Sequence, residues 1–191
     1  MRSSDSTLLR GSLGCGAAIV ALGFVCPTAH AAVPLTKAQC PSLDVALTTS
    51  NADAIRGGLL CVTNAERTLH DLTPLRENAK LRKAALEHSS DMVRRSYFSH
   101  TTPSGATFVD RILRAGYAQR NDAWSLGENL GWGTGELGTV RGVHDAWMRS
   151  SGHRANILKS SFRELGIGIQ SGIPRDADVG ATFTTDFGVK P

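Results

Sequence analysis

Apolar residues recur at helical spacing in the first part of the chain, after residue 50, and alternate with polar residues near the chain's end. A first helix is predicted to start near Asn51 or Asp53, which are good N-cap residues, and to end by Leu72, just before a proline. A second helix is predicted from about Asn78 to Arg95. The stripes that indicate them are Ile55, Leu59, Val62, Ala65 and Leu69, then Leu81, Ala85, His88 and Met92.

Shorter elements follow the two helices. A loop is predicted where Pro103 and Gly105 supply turn residues, and Gly116 is expected to end a short third helix in the left-handed conformation. The predicted elements are a polar loop at 97–105, a helix around Phe108–Leu113, a strand at Leu126–Trp132, a helix at Thr139–Met148 that Ser150-Ser151-Gly152 breaks, and one turn at Ala155–Leu158.

Two alternating segments close the chain. Residues 165–170 and 181–187 place apolar side chains at every second position, and the turn-rich segment 172–179 joins them as an antiparallel hairpin. Gly166 and Gly168 within the first strand indicate close approach of a neighbouring element. Helices early and strands late predict an α+β domain with helices packed on an antiparallel sheet.

The first 31 residues have the pattern of a secretory signal peptide. Arg2 and Arg10 precede an apolar segment at 13–25, and Ala29-His30-Ala31 is typical of a cleavage site. Cleavage would leave residues 32–191, one domain's worth of chain with no transmembrane segment. We therefore expect a secreted protein with an N-terminal arm, including the start of the first helix, at 32–57 and a domain at 58–188.

The charge pattern argues against a nucleic-acid-binding protein. The formal net charge is +4 for the whole chain. The signal peptide removes two arginines and one aspartate, so the mature charge is about +3. No dense Lys/Arg cluster with interleaved aromatic residues occurs, although a weakly basic protein suits an anionic cell envelope.

Two cysteines remain in the predicted mature chain. Cys40 and Cys61 form an even set in an oxidising compartment, so we predict that they form one disulfide rather than two free thiols.

Three polar residues carry the functional hypothesis. Glu128 stands between Gly127 and Asn129 in an apolar strand, where a carboxylate needs a partner. His100 and His153 lie in polar, turn-like sequence and could provide that partner. We predict that His100, Glu128 and His153 converge on one cleft.

Other residues receive structural interpretations. His88, on the buried stripe, is expected to be a core histidine, and His144 a partly exposed helix residue. The remaining assignments are side-chain clamps on backbone for Asn129 and Asn156, core for Trp147, cleft wall for Trp132, and exposed ion pairs of Arg111 and Arg154 with Asp110 or Glu164.

Four blocks in order resemble the CAP superfamily of cysteine-rich secretory, antigen 5 and pathogenesis-related proteins, in its secreted bacterial SCP-like form. Together they span about Gly58 to Gly188. The blocks are Cys61-Val62-Thr63-Asn64-Ala65-Glu66-Arg67, Phe98-Ser99-His100-Thr101-Thr102-Pro103-Ser104-Gly105, Gly127-Glu128-Asn129-Leu130, and Ala146-Trp147-Met148-Arg149-Ser150-Ser151-Gly152-His153-Arg154-Ala155-Asn156-Ile157-Leu158.

The resemblance implies a three-layer α-β-α sandwich with a small antiparallel sheet. It also implies a cleft in which two histidines and two acids hold a divalent metal, often Zn²⁺. His100, Glu128 and His153 match three of these ligands, but Gly142 stands at the place of the fourth, with Arg141 beside it. A Zn²⁺ site and a metal-free hydrogen-bonded cluster therefore both remain open.

Three functions compete. The favoured one is a non-enzymatic CAP domain that binds a lipid, sterol or cell-envelope component through its cleft, because no nucleophile and base pair is identifiable. The alternative is a metal-dependent hydrolase that uses His100, Glu128 and His153. The third is a structural or toxin-like interaction protein with a vestigial cleft.

Overall fold

A computed structural model describes residues 39–48 and 50–191. The predicted signal peptide at 1–31 and the first part of the predicted arm, residues 32–38, lie outside the described residues. No helix in the described ranges is long and apolar enough to cross a membrane.

The described residues form five α-helices, one 3-10 helix and four strands. In chain order the elements are α1 (Ala52–Leu69), β1 (Arg76–Glu77), α2 (Ala79–Arg94), α3 (Phe108–Arg114), β2 (Ser125–Gly133), the 3-10 helix (Gly135–Gly138), α4 (Val140–Arg149), α5 (Ser151–Ile157), β3 (Glu164–Ile173) and β4 (Asp176–Val189).

The four strands form one sheet in the order β1-β3-β4-β2. The β3–β4 hairpin is antiparallel, as predicted. Strand β2 also pairs antiparallel with β4, and the two-residue β1, which was not predicted, pairs parallel to β3. Helices α2 and α3 pack on one face, and α1, α4 and α5 pack on the other. The α+β class and the three-layer sandwich are confirmed.

The larger core lies between the sheet and the layer of α1, α4 and α5. Its largest buried aromatic residues are Trp147, Phe162, Phe183 and Phe187, and the Phe162 and Phe187 rings stack at 5.6 Å. A smaller cluster, around Leu81 and Ile112, fills the α2 and α3 side. The side chains of β3 and β4 alternate between these two layers, which is why their apolar positions recur every second residue.

The two strand glycines let α2 lie directly on the sheet. A Cβ atom at Gly166 would collide with the backbone of Leu81 and Arg82, and one at Gly168 with the backbone of Ala85 and Leu86. The close approach predicted from the glycine pattern is therefore confirmed.

The predicted disulfide between Cys40 and Cys61 is confirmed, and it ties the segment before α1 to that helix. Closing a loop of 21 residues stabilises the fold by about 3 kcal/mol in the chain-entropy model. Leu43, just after the first cysteine, is fully buried in the larger core. The bridge therefore holds a segment that also supplies core residues.

Two local predictions were wrong. The break expected at Ser150-Ser151-Gly152 is shorter than predicted: α4 ends at Arg149, Ser150 caps it, and α5 begins at Ser151, so His153 lies on a helix rather than in a turn. The final strand is longer than residues 181–187, because β4 begins at Asp176 and only a tight turn separates it from β3. The first helix ends at Leu69, before the segment at 72–75 that was expected to stop it.

Candidate functional site

The site is built on β2, an edge strand. In the register of β2 against β4, Glu128 lies opposite Asp186. The Glu128 side chain is only 1% exposed, and Asp186 is fully buried. Two carboxyl groups therefore meet on adjacent strands inside the protein, where an unpaired charge is very costly.

Glu128 is paired on both carboxylate oxygens. The Nδ1–H of His100 donates to Oε1 at 2.7 Å, and the guanidinium of Arg111 donates to Oε2 at 2.5 Å. Arg111 is almost as buried as Glu128, with 7% of its side chain exposed, whereas half of the His100 side chain is exposed. A buried carboxylate held by a buried guanidinium is stable only while both partners remain.

Arg111 also positions the loop that carries His100. Its guanidinium donates to the carbonyl of His100 at 2.9 Å and to that of Ala106 at 3.2 Å. The predicted ion pair of Arg111 with Asp110 or Glu164 was wrong, because Asp110 instead caps α3 through Thr107 and pairs with Arg120. Sequence reasoning missed Arg111 because its partner lies on another element.

Asp186 is a carboxyl group without an evident hydrogen-bond donor. Neither of its oxygens accepts a hydrogen bond from any described residue. Burial, and then the negative charge of Glu128, raise the pKa of Asp186 well above its usual range, although Arg111 opposes this. A buried acid beside a second carboxylate thus favours its protonated form.

We expect Asp186→Asn to raise the melting temperature at pH 7.5 by a few degrees. The raised folded-state pKa means that folding takes up a proton at neutral pH, which costs stability that is regained only as the pH falls toward 3.8. Asparagine is neutral in both states and can donate to Glu128. Thermal unfolding at pH 7.5 and pH 4.5 would check this: the advantage should shrink at the lower pH, and a loss at pH 7.5 as large as that of Asp186→Ala would contradict it.

His153 lies on α5 near both aromatic and basic neighbours. Its ring is 6.4 Å from that of Trp147, and its carbonyl accepts a hydrogen bond from the Asn129 amide at 3.0 Å. Partial burial, and then the charge of His100, lower the pKa of His153. The two histidines thus interact electrostatically, but no hydrogen bond joins His153 to His100 or Glu128 among the described contacts.

His153 borders a groove of about 340 Å³. Phe98, Trp132 and Leu137 line it although they are 46%, 38% and 63% exposed, and the Phe98 and Trp132 rings meet edge to face at 6.4 Å. We call this cavity, lined by Phe98, Leu130, Trp132, Leu137, Trp147 and His153, the apolar groove. Large apolar side chains left exposed around one cavity are typical of a binding surface.

Motif residues close the free edge of β2. The Asn156 amide donates to the carbonyl of Glu128 at 3.1 Å, and the Trp147 indole N–H donates to the carbonyl of Leu130 at 2.8 Å. Asn129 and Asn156 are thereby confirmed as side-chain clamps. These bonds satisfy carbonyls that an edge strand would otherwise leave open to another chain.

The predicted metal ligands do not fit a Zn²⁺ site as they stand. Both oxygens of Glu128 are engaged, one by a cation, and within the described residues no group of three or more His, Cys, Asp or Glu side chains could hold a metal ion. A Cβ at Gly142 would collide with the Glu136 carbonyl, so no fourth acid fits there without a shift. Glu136 and Asp145, the nearest acids to Gly142 in the sequence and the candidates to replace a fourth ligand, are both exposed.

The two remaining helix histidines are buried. His88 is confirmed as a core histidine, and its Nε2 lies 2.9 Å from the Ser99 carbonyl. His144 was wrongly expected to be partly exposed: it is 2% exposed, and its Nε2 has no hydrogen-bond partner in the described residues. Burial lowers the pKa of His144 below 6.5, although Glu66 and Asp145 act in the opposite direction.

Acid should destabilise the protein through His144. A folded-state pKa below the unfolded value makes the neutral form contribute stability that is present above pH 6.5 and is lost as the pH falls through the folded pKa. We expect the melting temperature to fall between pH 7.5 and pH 5, and His144→Leu to reduce that fall by about 2–4 °C. Thermal scans across this range test it, and an unchanged slope in the variant would contradict it.

The family model of the cysteine-rich secretory protein (CAP) family matches residues 60–184. The chain belongs to this family. Among curated proteins, the CAP chain is 35% identical over 124 residues to the uncharacterised protein YkwD of Bacillus subtilis, covering 64% of this chain and 46% of that protein. It is 32% identical over 113 residues to the B. subtilis membrane protein YlbC, covering 58% and 30%. The CAP chain thus spans less than half the length of either relative.

Solved structures agree on the CAP fold. An extracellular SCP-domain protein of Bacillus anthracis matches with a TM-score of 0.54 at 27% identity, covering 74% of this chain and 44% of that one. An outer surface protein of Borrelia burgdorferi matches with a TM-score of 0.63, covering 76% of this chain and 99% of that one; at 18% identity, this likeness shows the fold alone.

Proposed function

We propose that this chain is a secreted, non-enzymatic CAP domain that binds an apolar or amphiphilic component of the cell envelope, such as a lipid or sterol, in the apolar groove. The observation that carries the proposal is the exposure of Phe98, Trp132 and Leu137 around a single cavity. His153 supplies a polar group in the lining of the groove. A mostly apolar pocket with few polar groups is the usual form of a small-molecule site.

The state of Glu128 supports binding rather than catalysis. A general base must reach its substrate's proton, and a metal ligand must be accessible to the ion. Glu128 is buried, and both of its oxygens are already held by His100 and Arg111. In this proposal the His100–Glu128–Arg111 cluster fixes the loop that carries Phe98, and thereby shapes one wall of the groove.

Titration with Nile red, a neutral apolar dye, tests the proposal. We expect Trp132→Ser to weaken dye binding about tenfold or more, because aromatic residues dominate binding at such surfaces. Val179→Ser is the matched control, since Val179 is 44% exposed but does not line the groove. A fatty acid and a sterol should then be tried as competitors. Equal losses in both variants, or no dye binding at all, would overturn the proposal.

The proposed binding function and the alternative of a metal-dependent hydrolase make opposite predictions for Zn²⁺ binding. If Glu128 stays engaged by Arg111, the protein should take up Zn²⁺ only weakly and below stoichiometric amounts. Isothermal titration with Zn²⁺, repeated on His100→Ala with His153→Ala, checks this. Stoichiometric binding that the double variant abolishes would restore the alternative.

A further inference from the structure

A second cavity, of about 580 Å³, lies between α2, α3 and the loop that follows α2. It shares no lining residue with the apolar groove. The loop separates the two cavities: Phe98 lines the apolar groove, whereas Thr102 and Ser104 line this one. Four arginines line the second cavity, namely Arg94, Arg95, Arg111 and Arg114.

The acids in this cavity do not balance its arginines. Asp91 accepts from both Arg94, at 2.6 Å, and Arg95, at 3.4 Å, so one carboxylate serves two cations. The other acid, Glu87, lies 4.0 Å from the Lys83 ammonium group. A positive excess therefore remains on this face even before Arg114 is considered.

Arg114 leaves its donors exposed, and Arg111 has one donor without a partner. Arg114 is exposed and has no hydrogen bond or ion pair with any described residue. Arg111 is occupied by Glu128 on one side, but its Nε is buried and has no partner in the described part of the chain. Guanidinium groups recognise phosphate oxygens through paired N–H donors, so unsatisfied arginine donors in one cavity favour an oxyanion.

Two hydroxyl groups complete the donor set. The side chains of Thr102 and Ser104 lie 3.0 Å apart and face the same cavity. Hydroxyl groups commonly join arginines in binding phosphate oxygens. The loop that bears them is itself fixed by Arg111, which holds the Ala106 carbonyl.

The basic surface continues along α3. A third cavity, of about 640 Å³, shares Ser104, Ala106 and Arg114 with the second and is also lined by Arg120 and Asp110, which pair at 2.8 Å, so Arg114 carries its uncompensated positive charge. Arg114 thus stands at the junction of two adjoining cavities. A single phosphate would fill only a small part of the two adjoining cavities, whereas a linear chain of phosphate groups could extend through both.

We propose that these adjoining cavities form a basic groove, defined by Arg94, Arg95, Arg111, Arg114, Thr102 and Ser104, that binds a soluble linear polymer of phosphate groups. The positive net charge, +4 for the whole chain and about +3 after the expected cleavage, would add long-range attraction for such a polymer. Binding releases counterions, so affinity should fall steeply as salt rises. This site is independent of the apolar groove.

Long-chain inorganic polyphosphate is the probe, titrated into the protein at low and at physiological salt. We expect Arg95→Gln with Arg114→Gln to weaken binding about tenfold and to flatten the salt dependence. Arg76→Gln with Arg149→Gln is the control of equal charge; both arginines are exposed and lie outside the basic groove. The control should lose no more than about twofold.

Three outcomes would overturn the proposal. Equal losses in the two double variants would reduce the effect to net charge. Binding to phosphatidylglycerol vesicles without binding to polyphosphate would assign the surface to a membrane instead. Binding of inorganic phosphate as tight as that of the polymer would remove the argument from the length of the groove.

Discussion

Replacing Arg111 by methionine should lower the free energy of unfolding by about 3–5 kcal/mol, the usual cost of leaving one partner of a buried ion pair alone. Methionine keeps much of the side-chain volume but removes the cation from Glu128. The loop at 97–107 would also lose the two bonds that Arg111 makes to its carbonyls. Urea denaturation followed by circular dichroism measures the change.

A matched control lies one helical turn away on α3. Arg114→Met alters the same residue type on the same helix, but Arg114 is exposed and unpaired in the described structure, so stability should change by no more than about 0.5 kcal/mol. Adding Glu128→Gln to Arg111→Met should recover part of the loss, because the orphaned charge is removed. A double variant less stable than Arg111→Met alone would contradict this account of the pair.

Replacing Gly168 by alanine should cost at least about 2 kcal/mol, within the range of overpacked cores. The added Cβ would collide with the backbone of Ala85 and Leu86, and a backbone cannot turn away as a flexible side chain can. Helix α2 would have to move off the sheet, and His88 and Arg94 with it. The same denaturation experiment measures the loss.

A glycine-to-alanine substitution in α1 should instead raise the free energy of unfolding. Gly57 is exposed, and a Cβ there meets no atom within 4 Å. Gly57→Ala should therefore stabilise the protein by about 0.5–1 kcal/mol through helix propensity. If both alanine variants were neutral, α2 would not be packed on the strand as closely as described.

Some of the features behind these predictions could be inferred from the sequence alone. The contact at Gly168 was predictable, because glycine alternating with isoleucine in a strand indicates close approach of a neighbouring element. The Cys40–Cys61 bridge was predictable for a similar reason, since compartment and an even count suffice. The two helices and the late hairpin follow from periodicity over many residues.

The partners of Glu128 were only half predictable. His100 was identified from its motif, and it contacts Glu128 at 2.7 Å. Arg111 and Asp186 were missed because their roles depend on how α3 and β4 align with β2, which no local pattern encodes. His153 was placed in a turn because Ser150-Ser151-Gly152 is typical of a helix break, whereas here a serine between two helices serves both of their ends.

The buried cluster changes how the family motif is interpreted in this chain. The polar groups of four motif residues are already hydrogen-bonded. Glu128 accepts from Arg111, and backbone carbonyls accept from Asn129, Trp147 and Asn156. Their hydrogen bonds fix an edge strand and the loop beside it. Phe98 and Trp132, which line the apolar groove beside this frame, are left exposed.

The central claim is that Glu128 supports the site while the apolar groove does the binding, and comparison of Glu128→Gln with Trp132→Ser tests it most directly. Each variant should be measured for urea stability and for Nile red affinity at a temperature where it is folded. The account predicts that Glu128→Gln lowers stability but binds dye within about threefold of wild type, and that Trp132→Ser keeps its stability but binds about tenfold more weakly. A Glu128→Gln protein that is as stable as wild type yet has lost dye binding would contradict it.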